Sequence, residues 1–361
     1  SAAAAASGSI PNSRQCGLAR RSVSPNRPLL QPTSRIVEAP AGMNGTISRR
    51  GRPPWRAEAD RSITSNRSTG PHAGSSQCIP SAVPVALRAT LSAVAADLDE
   101  HRFVFVGGLP RSGTTFLAAE IARSPEVSNL EGIGVIADEG QYVQTVFPTQ
   151  REAGGIDRFA YSPRMHLTEP SQLEIEALRT ALIEAWSPYW DISKPVLLEK
   201  TPSNLLKMLF LQALFPASSF VVVIRHPVAQ AMALRGRGWS RRPVAKLIDH
   251  WITAHDIMTA DLPHLDQVVV VRYEDLVTSS DKILNGIRTF LDLDLMPVDE
   301  DPRQGINDRY FDDWRSGGVL ASVTNWRTAR RYEERLAPYG YSLSSPMPVG
   351  PLGVGYPTLP A

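Results

Sequence analysis

Pro110-Arg-Ser-Gly-Thr-Thr115 follows an apolar run and opens a helix-forming stretch. Together with Gly108 it comes close to the phosphate-binding pattern G-x-x-x-x-G-K-[ST]. Gly108 and Gly113 have the spacing, and Thr115 fills the last position. Thr114 stands where the lysine belongs. A loop of this kind points backbone N–H groups at an anion from the start of a helix. Arg111 adds a charge-assisted donor. Without the lysine, the cation that reaches the β- and γ-phosphates of a nucleoside triphosphate is missing. Arg111, Ser112, Gly113, Thr114 and Thr115 are therefore candidates for holding a phosphate-type group, and ATP or GTP hydrolysis is disfavoured.

Three further clusters of polar residues follow apolar runs. Arg225-His-Pro227 leads into a helix start, where a second anion could bind through Arg225 and Arg237; a surface ion pair of Arg225 with Asp249 is the competing arrangement. Glu199-Lys-Thr201 and Arg272-Tyr-Glu-Asp275 are the others. A magnesium site of the nucleotide-hydrolase type puts an aspartate at a core strand end. Arg225 and Arg272 occupy such ends instead. His226, His250, His255 and His264 lack zinc spacing, so no metal is expected.

The elements that must position these residues are legible. Apolar runs at 103–106, 196–198, 220–224 and 268–271 are continuous rather than alternating, as in parallel strands covered on both faces. Helical stretches are expected at 115–124, at 203–214 with Ser203 as N-cap, at 227–235 with Pro227 in the first turn, and at 242–260. The alternation predicts a three-layer α/β/α domain around a mainly parallel sheet, of the P-loop-hydrolase type. Ligands bind beyond the carboxyl ends of the strands in such sheets, which is where the cationic clusters fall.

Composition bounds the rest. The chain has 361 residues and a formal net charge of +2. Residues 1–85 hold eleven Arg, no Lys and three acids, +8, which leaves −6 for the remainder. The basic character belongs to that first segment, and no nucleic-acid-binding core is implied. Rich in Ala, Ser, Pro and Gly, residues 1–85 cannot bury enough apolar surface to order themselves. They read as a disordered basic extension, with the Arg- and Ser-rich, acid-poor composition of a targeting segment. Residues 86–341 form the expected catalytic domain, and 342–361 a flexible tail. Both cysteines, Cys16 and Cys78, lie in the extension, so the core has neither a disulfide nor a thiol metal site. No run reaches the roughly 20 apolar residues of a membrane helix.

These motifs, in this order, resemble the PAPS-dependent sulfotransferases, in the branch of the protein-tyrosine sulfotransferases and related bacterial and algal enzymes. The resemblance runs from about Phe103 to Tyr341 and rests on four segments. They are Pro110–Thr115, Glu199-Lys-Thr-Pro-Ser-Asn204 with the following Phe210–Pro216, Phe220–Pro227, and Arg272-Tyr-Glu-Asp-Leu276. It implies sulfuryl transfer from 3′-phosphoadenosine-5′-phosphosulfate (PAPS) to a hydroxyl or amine, with no metal. It also implies roles: the first loop takes the 5′-phosphosulfate, Lys200 stabilises the leaving oxygen, Arg225 binds the 3′-phosphate, and Tyr273 lines the nucleotide site or packs in the core. One departure is Ala233, where the family has a serine contacting the 3′-phosphate; Arg237 is a second basic contact that compensates.

The resemblance also implies a glutamate or histidine base downstream of the first loop. Glu139 is favoured, ahead of Glu131 and His166. Acceptor loops are expected at 131–166 and 301–324, with Tyr142, Phe147, Phe159, Tyr161, Tyr310, Phe311 and Trp314 as lining or packing residues. Peptide tyrosine, glycan, lipid and small molecule are all open as acceptors. Competing readings are a kinase on the same fold and a non-catalytic binder of PAP, the 3′,5′-bisphosphate product. The compartment expected is an organelle (chloroplast or mitochondrion) or the cytoplasm, or the Golgi lumen if an anchor precedes the sequence.

Overall fold

Five segments form the sheet: β1 (Arg102–Gly108), β2 (Val127–Asn129), β3 (Val196–Lys200), β4 (Ser219–Ile224) and β5 (Val268–Arg272). The computed structural model of the chain describes residues 98–135, 137–294, 305–316, 318–353 and 355–360. The expected 1–85 extension, with Cys16 and Cys78, lies outside the described residues. The strand order is β2-β3-β1-β4-β5, and every pairing is parallel. Central β1 sets the register, with Val106 opposite both Lys200 and Val221.

The middles of β1, β3, β4 and β5 are continuous apolar runs because both faces of the sheet are covered. Alternate residues divide between two cores. Phe103, Phe105, Leu197, Phe220, Val222 and Val270 point to one face. Val104, Val106, Leu198, Val221, Val223 and Val269 point to the other. The first core is closed by α2 (Gln172–Trp186), α3 (Met208–Leu214), α4 (Pro227–Gly236) and α5 (Val244–Asp261), through residues such as Trp186, Leu211, Val228 and Trp251. The second is closed by α1 (Thr114–Ala122), α6 (Tyr273–Thr278) and α7 (Ser280–Leu291), through Leu117, Leu276 and Ile287. The result is the three-layer α/β/α architecture expected from the apolar runs. Two more helices follow, α8 (Ile306–Arg315) and α9 (Gly318–Leu336).

After β1 the chain goes to one side of the sheet for β2 and β3, then crosses to the other for β4 and β5. The carboxyl end of β1 is therefore a switch point, the crevice where open α/β sheets bind ligands. Its neighbours are the ends of β3 and β4, which carry Lys200 and Arg225.

Local details depart from the sequence reading. Edge strand β2 is three residues long, and a Val-Ser-Asn segment carries too little apolar signal to be read as a strand. The helix expected at 203–214 is a 3₁₀ turn (Pro202–Leu206) followed by the shorter α3, because Lys207 leaves helical geometry at φ −132°. Ser203 is consequently not an N-cap; its hydroxyl accepts a hydrogen bond from Lys207 Nζ at 2.8 Å. The stretch after 342, expected as a flexible tail, has no helix or strand among its described residues but is laid against the domain. Val270 N–H donates to Pro357 O at 2.9 Å, and Arg272 Nη1 to Gly350 O at 2.6 Å. Among the described residues, no helix is long and apolar enough to cross a membrane.

Candidate functional site

The loop between β1 and α1 is built to present donors. Gly113 precedes α1 with φ 101°, a conformation that favours glycine, and no side chain caps the helix. The first N–H groups of α1 thus face the crevice without partners inside the helix. A Cβ on Gly113 would sit 2.7 Å from the Tyr273 ring, so glycine is also required sterically. Arg111 adopts φ 74° despite its side chain. The loop's outward carbonyls are tied from behind: Gln230 Nε2 donates to Pro110 O at 2.8 Å, and Arg225 Nη1 to Arg111 O at 2.8 Å. With the carbonyls held back, the N–H edge is the one left for a ligand.

Two buried polar atoms of the loop have no hydrogen-bond partner among the described residues, Ser112 Oγ and Arg111 Nε. A buried unsatisfied donor is costly unless a ligand or solvent completes it. The local charge has the matching sign. The Arg111 guanidinium is pushed below its ordinary pKa, first by burial and then by the charge of Arg237, with Arg225 adding to it. No carboxylate among the described residues pairs with Arg111, Arg225 or Arg237. Arg237 is exposed at the end of α4. Three like charges gathered at one strand edge favour an anion, and the unpartnered loop atoms fit a phosphate or phosphosulfate group.

Arg225 is not in a surface ion pair with Asp249, whose carboxylate is taken by Tyr161 and Tyr332. Arg225 is 4% exposed. It spans from Arg111 O to Asn307 Oδ1, which accepts from Nε at 3.1 Å and from Nη2 at 2.7 Å. Asn307 Nδ2 in turn donates to Glu274 Oε1, the acceptor of the His226 N–H, and Tyr341 Oη donates to Glu274 Oε2. Arg225 Cζ stands over Tyr273, 4.2 Å from the ring centre. Sequence reasoning missed Asn307 and the part played by Glu274. Within the described part of the segment 301–324, α8 brings Asn307 to Arg225, while Phe311 and Trp314 are buried. Ala233 is fully buried in α4.

Across the crevice, the end of β3 grips the segment after β2 with consecutive residues. Lys200 Nζ donates to Ala137 O at 2.9 Å and lies 3.4 Å from Glu139 Oε1. Glu199 Oε1 accepts the Gly140 N–H at 3.0 Å. Thr201 Oγ1 accepts the Gln141 N–H at 3.3 Å. Lys200 is almost fully buried, so an ordinary solvated lysine is ruled out. Burial pushes the Glu139 carboxyl above its ordinary pKa, against the pull of the Lys200 charge. A carboxylate whose pKa is raised is a stronger proton acceptor than an ordinary one.

Glu139 opens into a cleft of about 800 Å³ that also touches Pro110 of the first loop. Tyr142, Arg151 and Trp239 line it, with Tyr142 and Trp239 each more than two-fifths exposed. Arg111 stands over the Trp239 ring at 5.4 Å, linking the cleft to the donor loop. The structure therefore pairs Lys200 with Glu139 and sets Glu139 on the cleft that is also lined by Trp239, the ring under Arg111. It does not bring the other two base candidates to them. His166 Nε2 lies 3.1 Å from both carboxylate oxygens of Asp261, at the far end of α5. Glu131 is exposed, held by its backbone to Tyr189 O. Of the aromatic residues, Phe147 and Phe159 are buried, and Tyr161 bonds to Asp249.

The model of the sulfotransferase family matches residues 104–297. Protein-tyrosine sulfotransferase 2 of Gallus gallus is 24% identical over 199 residues, covering 53% of this chain and 51% of that protein. Protein-tyrosine sulfotransferase 1 of Danio rerio is 24% identical over 196 residues, covering 53% of each. The chain spans about half the length of the curated relatives it matches. Among solved structures, the sulfotransferase domain of the Synechococcus PCC 7002 olefin synthase is 20% identical with a TM-score of 0.39, covering 64% of this chain and 94% of that one.

Proposed function

The chain belongs to the sulfotransferase family, and from that premise we propose that it moves a sulfuryl group from PAPS to an acceptor hydroxyl or amine. The observation that carries this reading is the pairing of a loop with unpartnered anion donors and a raised carboxyl beside a buried lysine, joined by one cleft. PAPS supplies, when bound, a sulfur whose bond to the bridging phosphate oxygen breaks as the acceptor atom attacks in line, leaving PAP with the electron pair.

The residues divide that work. The N–H groups of Gly113, Thr114 and Thr115, with Ser112 Oγ and Arg111, hold the 5′ end. Arg237 and the spare N–H groups of Arg225 take the 3′-phosphate, and Tyr273 backs the nucleotide. Lys200 Nζ opposes charge on the leaving oxygen. Glu139 accepts the acceptor's proton on its carboxylate. Positioning and charge supply the catalysis, as in phosphoryl transfer.

An aromatic hydroxyl is the acceptor class this cleft supports best, because Tyr142 and Trp239 present exposed ring surface beside Glu139. The Gallus gallus and Danio rerio relatives are protein-tyrosine sulfotransferases, which makes peptide tyrosine the first acceptor to try. The test is transfer of labelled sulfate from PAPS to tyrosine peptides, simple phenols and glycans, with Lys200→Ala as control. Label on a phenolic acceptor is expected. PAP binding without transfer to any acceptor would identify a non-catalytic binder, and magnesium-dependent ATP turnover would identify a kinase.

A further inference from the structure

Glu199 is a buried carboxylate without a place in the chemistry described so far. It is about 1% exposed. It lies one residue before Lys200, and its oxygens accept from three donors: the Gly140 N–H at 3.0 Å, Thr201 Oγ1 at 2.5 Å and Asn204 Nδ2 at 2.6 Å. Burial pushes the Glu199 carboxyl above its ordinary pKa, but these hydrogen bonds and the Lys200 charge pull the other way; three converging donors match an ionised carboxylate, which accepts and never donates. The Thr201 hydroxyl has a fixed sense. Its oxygen accepts the Gln141 N–H, so its proton goes to Glu199.

Glu199 and Thr201 thus hold the two successive N–H groups that follow Glu139. The other side of the same peptide is also fixed, since Trp186 Nε1 donates to Gly140 O at 3.1 Å. The fit leaves no space: a Cβ on Gly140 would fall 2.7 Å from Trp186 Nε1 and 2.8 Å from Glu199 Oε1. The base therefore hangs from a backbone point that Glu199 defines. The charged or titratable groups facing the pair are Lys200 on β3, Lys207 at the start of α3, Tyr142 on the base's own segment, and Arg151, which lines the same cleft as Glu139.

We propose that Glu199 is a positioning residue for this reaction, fixing the Glu139 carboxylate through the Gly140 N–H and setting a second negative charge against it. The proposal rests on Glu139 being the base. It predicts two separable effects, one of reach and one of charge. The charge effect has a definite sign. A neighbouring anion disfavours ionisation of Glu139; removing it lets Glu139 stay ionised, and so active, to lower pH.

The experiment is the pH profile of kcat/KM for the wild type and three variants, with PAP affinity measured in parallel. Glu199→Gln keeps an oxygen for the Gly140 N–H and loses the charge; Asn204, whose Oδ1 is unpartnered, can turn to meet the new amide. Its acid limb is expected to move to lower pH by about one unit. Glu199→Asp keeps the charge but is one methylene too short; kcat is expected to fall about 100-fold with the acid limb in place. PAP affinity stays unchanged in both, because the donor loop is untouched. If Glu139→Gln keeps wild-type activity, the reading of the base fails. If Glu139→Gln is inactive while Glu199→Gln leaves the acid limb unmoved and Glu199→Asp leaves kcat unmoved, the positioning role alone is overturned. Should both Glu199 variants fail to fold, Thr201→Val decides the matter: about a tenfold loss of kcat at constant KM for PAPS supports the proposal, and an unchanged kcat overturns it.

Discussion

Arg225 carries the Arg111 peptide: its Nη1 donates to Arg111 O across 2.8 Å, from a guanidinium buried between the loop and Asn307. The strained φ of 74° at Arg111 is held by this contact and by the placement of its own side chain over Trp239. Arginine here shapes the anion loop from beneath as well as adding charge to it. A lysine has one nitrogen and cannot reach Arg111 O and Asn307 Oδ1 together. Arg225→Lys is therefore expected to weaken PAP binding about 10- to 100-fold, the equivalent of losing one charge-assisted hydrogen bond of about 1.5–3 kcal/mol. Asn307→Ala, which frees the other side of the fork, is expected to lose affinity to a smaller degree. Calorimetric titration with PAP measures both, and wild-type affinity in Arg225→Lys would show that the strut is dispensable.

Gly113→Ala tests the loop from the other side. The new methyl would meet the Tyr273 ring at 2.7 Å and would force an L residue to φ 101°. The backbone part alone costs about 1–2 kcal/mol. Tyr273 also covers Arg225, so it cannot move aside without uncovering the strut. The expected outcome is a loss of PAP affinity of more than tenfold with a small drop in melting temperature. Adding Tyr273→Ala should restore part of the folding stability and none of the affinity.

Glu139 and Lys200 should separate in kinetics. Glu139→Gln is expected to bind PAP as the wild type does and to lose kcat by about 10²–10⁴-fold, the usual share of a general base. Lys200→Ala removes the counter-charge and also frees Ala137 O, so it should lower kcat and loosen the segment that carries Glu139. The pH dependence has a fixed sign. A base works ionised, and burial holds the Glu139 pKa above its ordinary value. Activity should therefore fall on acidification at a higher pH than an exposed glutamate would give. An acid limb at the ordinary carboxylate pKa would contradict this environment.

How much of this was legible beforehand follows from distance along the chain. Arg111, Lys200 and Arg225 could be named because each follows an apolar run that had to be a strand, and parallel strands bring their carboxyl ends to one edge. Glu139 could be named from its position after the first loop together with the family resemblance, but its partner lysine and its cleft are products of packing. Asn307 could not be found. It lies 82 residues beyond Arg225, on a polar helix start that carries no mark of a buried partner. Glu199 stood in plain view beside Lys200, yet its role depends on a peptide, Gly140, that belongs to another segment. Ser203 shows the converse error: a sound capping signal was overruled because Lys207 is drawn inward beneath it.

Lys207 gives the last prediction. It is fully buried, donates to Ser203 O and Oγ, and lies 4.8 Å from the centre of the Phe147 ring. Burial pushes its amine down to about 7, although the charges of Glu199 and Glu139 pull the other way. In the unfolded chain an ordinary lysine takes its proton near 10.4. Between those two values the unfolded state holds more protons than the native one, so native stability declines as pH falls from about 10.4 to about 7 and levels off below. Lys207→Met removes that proton linkage and keeps the length and apolar body of the side chain, at the cost of the hydrogen bonds to Ser203. The melting temperature of the variant minus that of the wild type should therefore be greater at pH 6.5 than at pH 9.5. A difference independent of pH, or one that grows toward alkaline pH, would mean that Lys207 is charged in the native protein throughout, held by Glu199 and Glu139 as a permanent counter-ion.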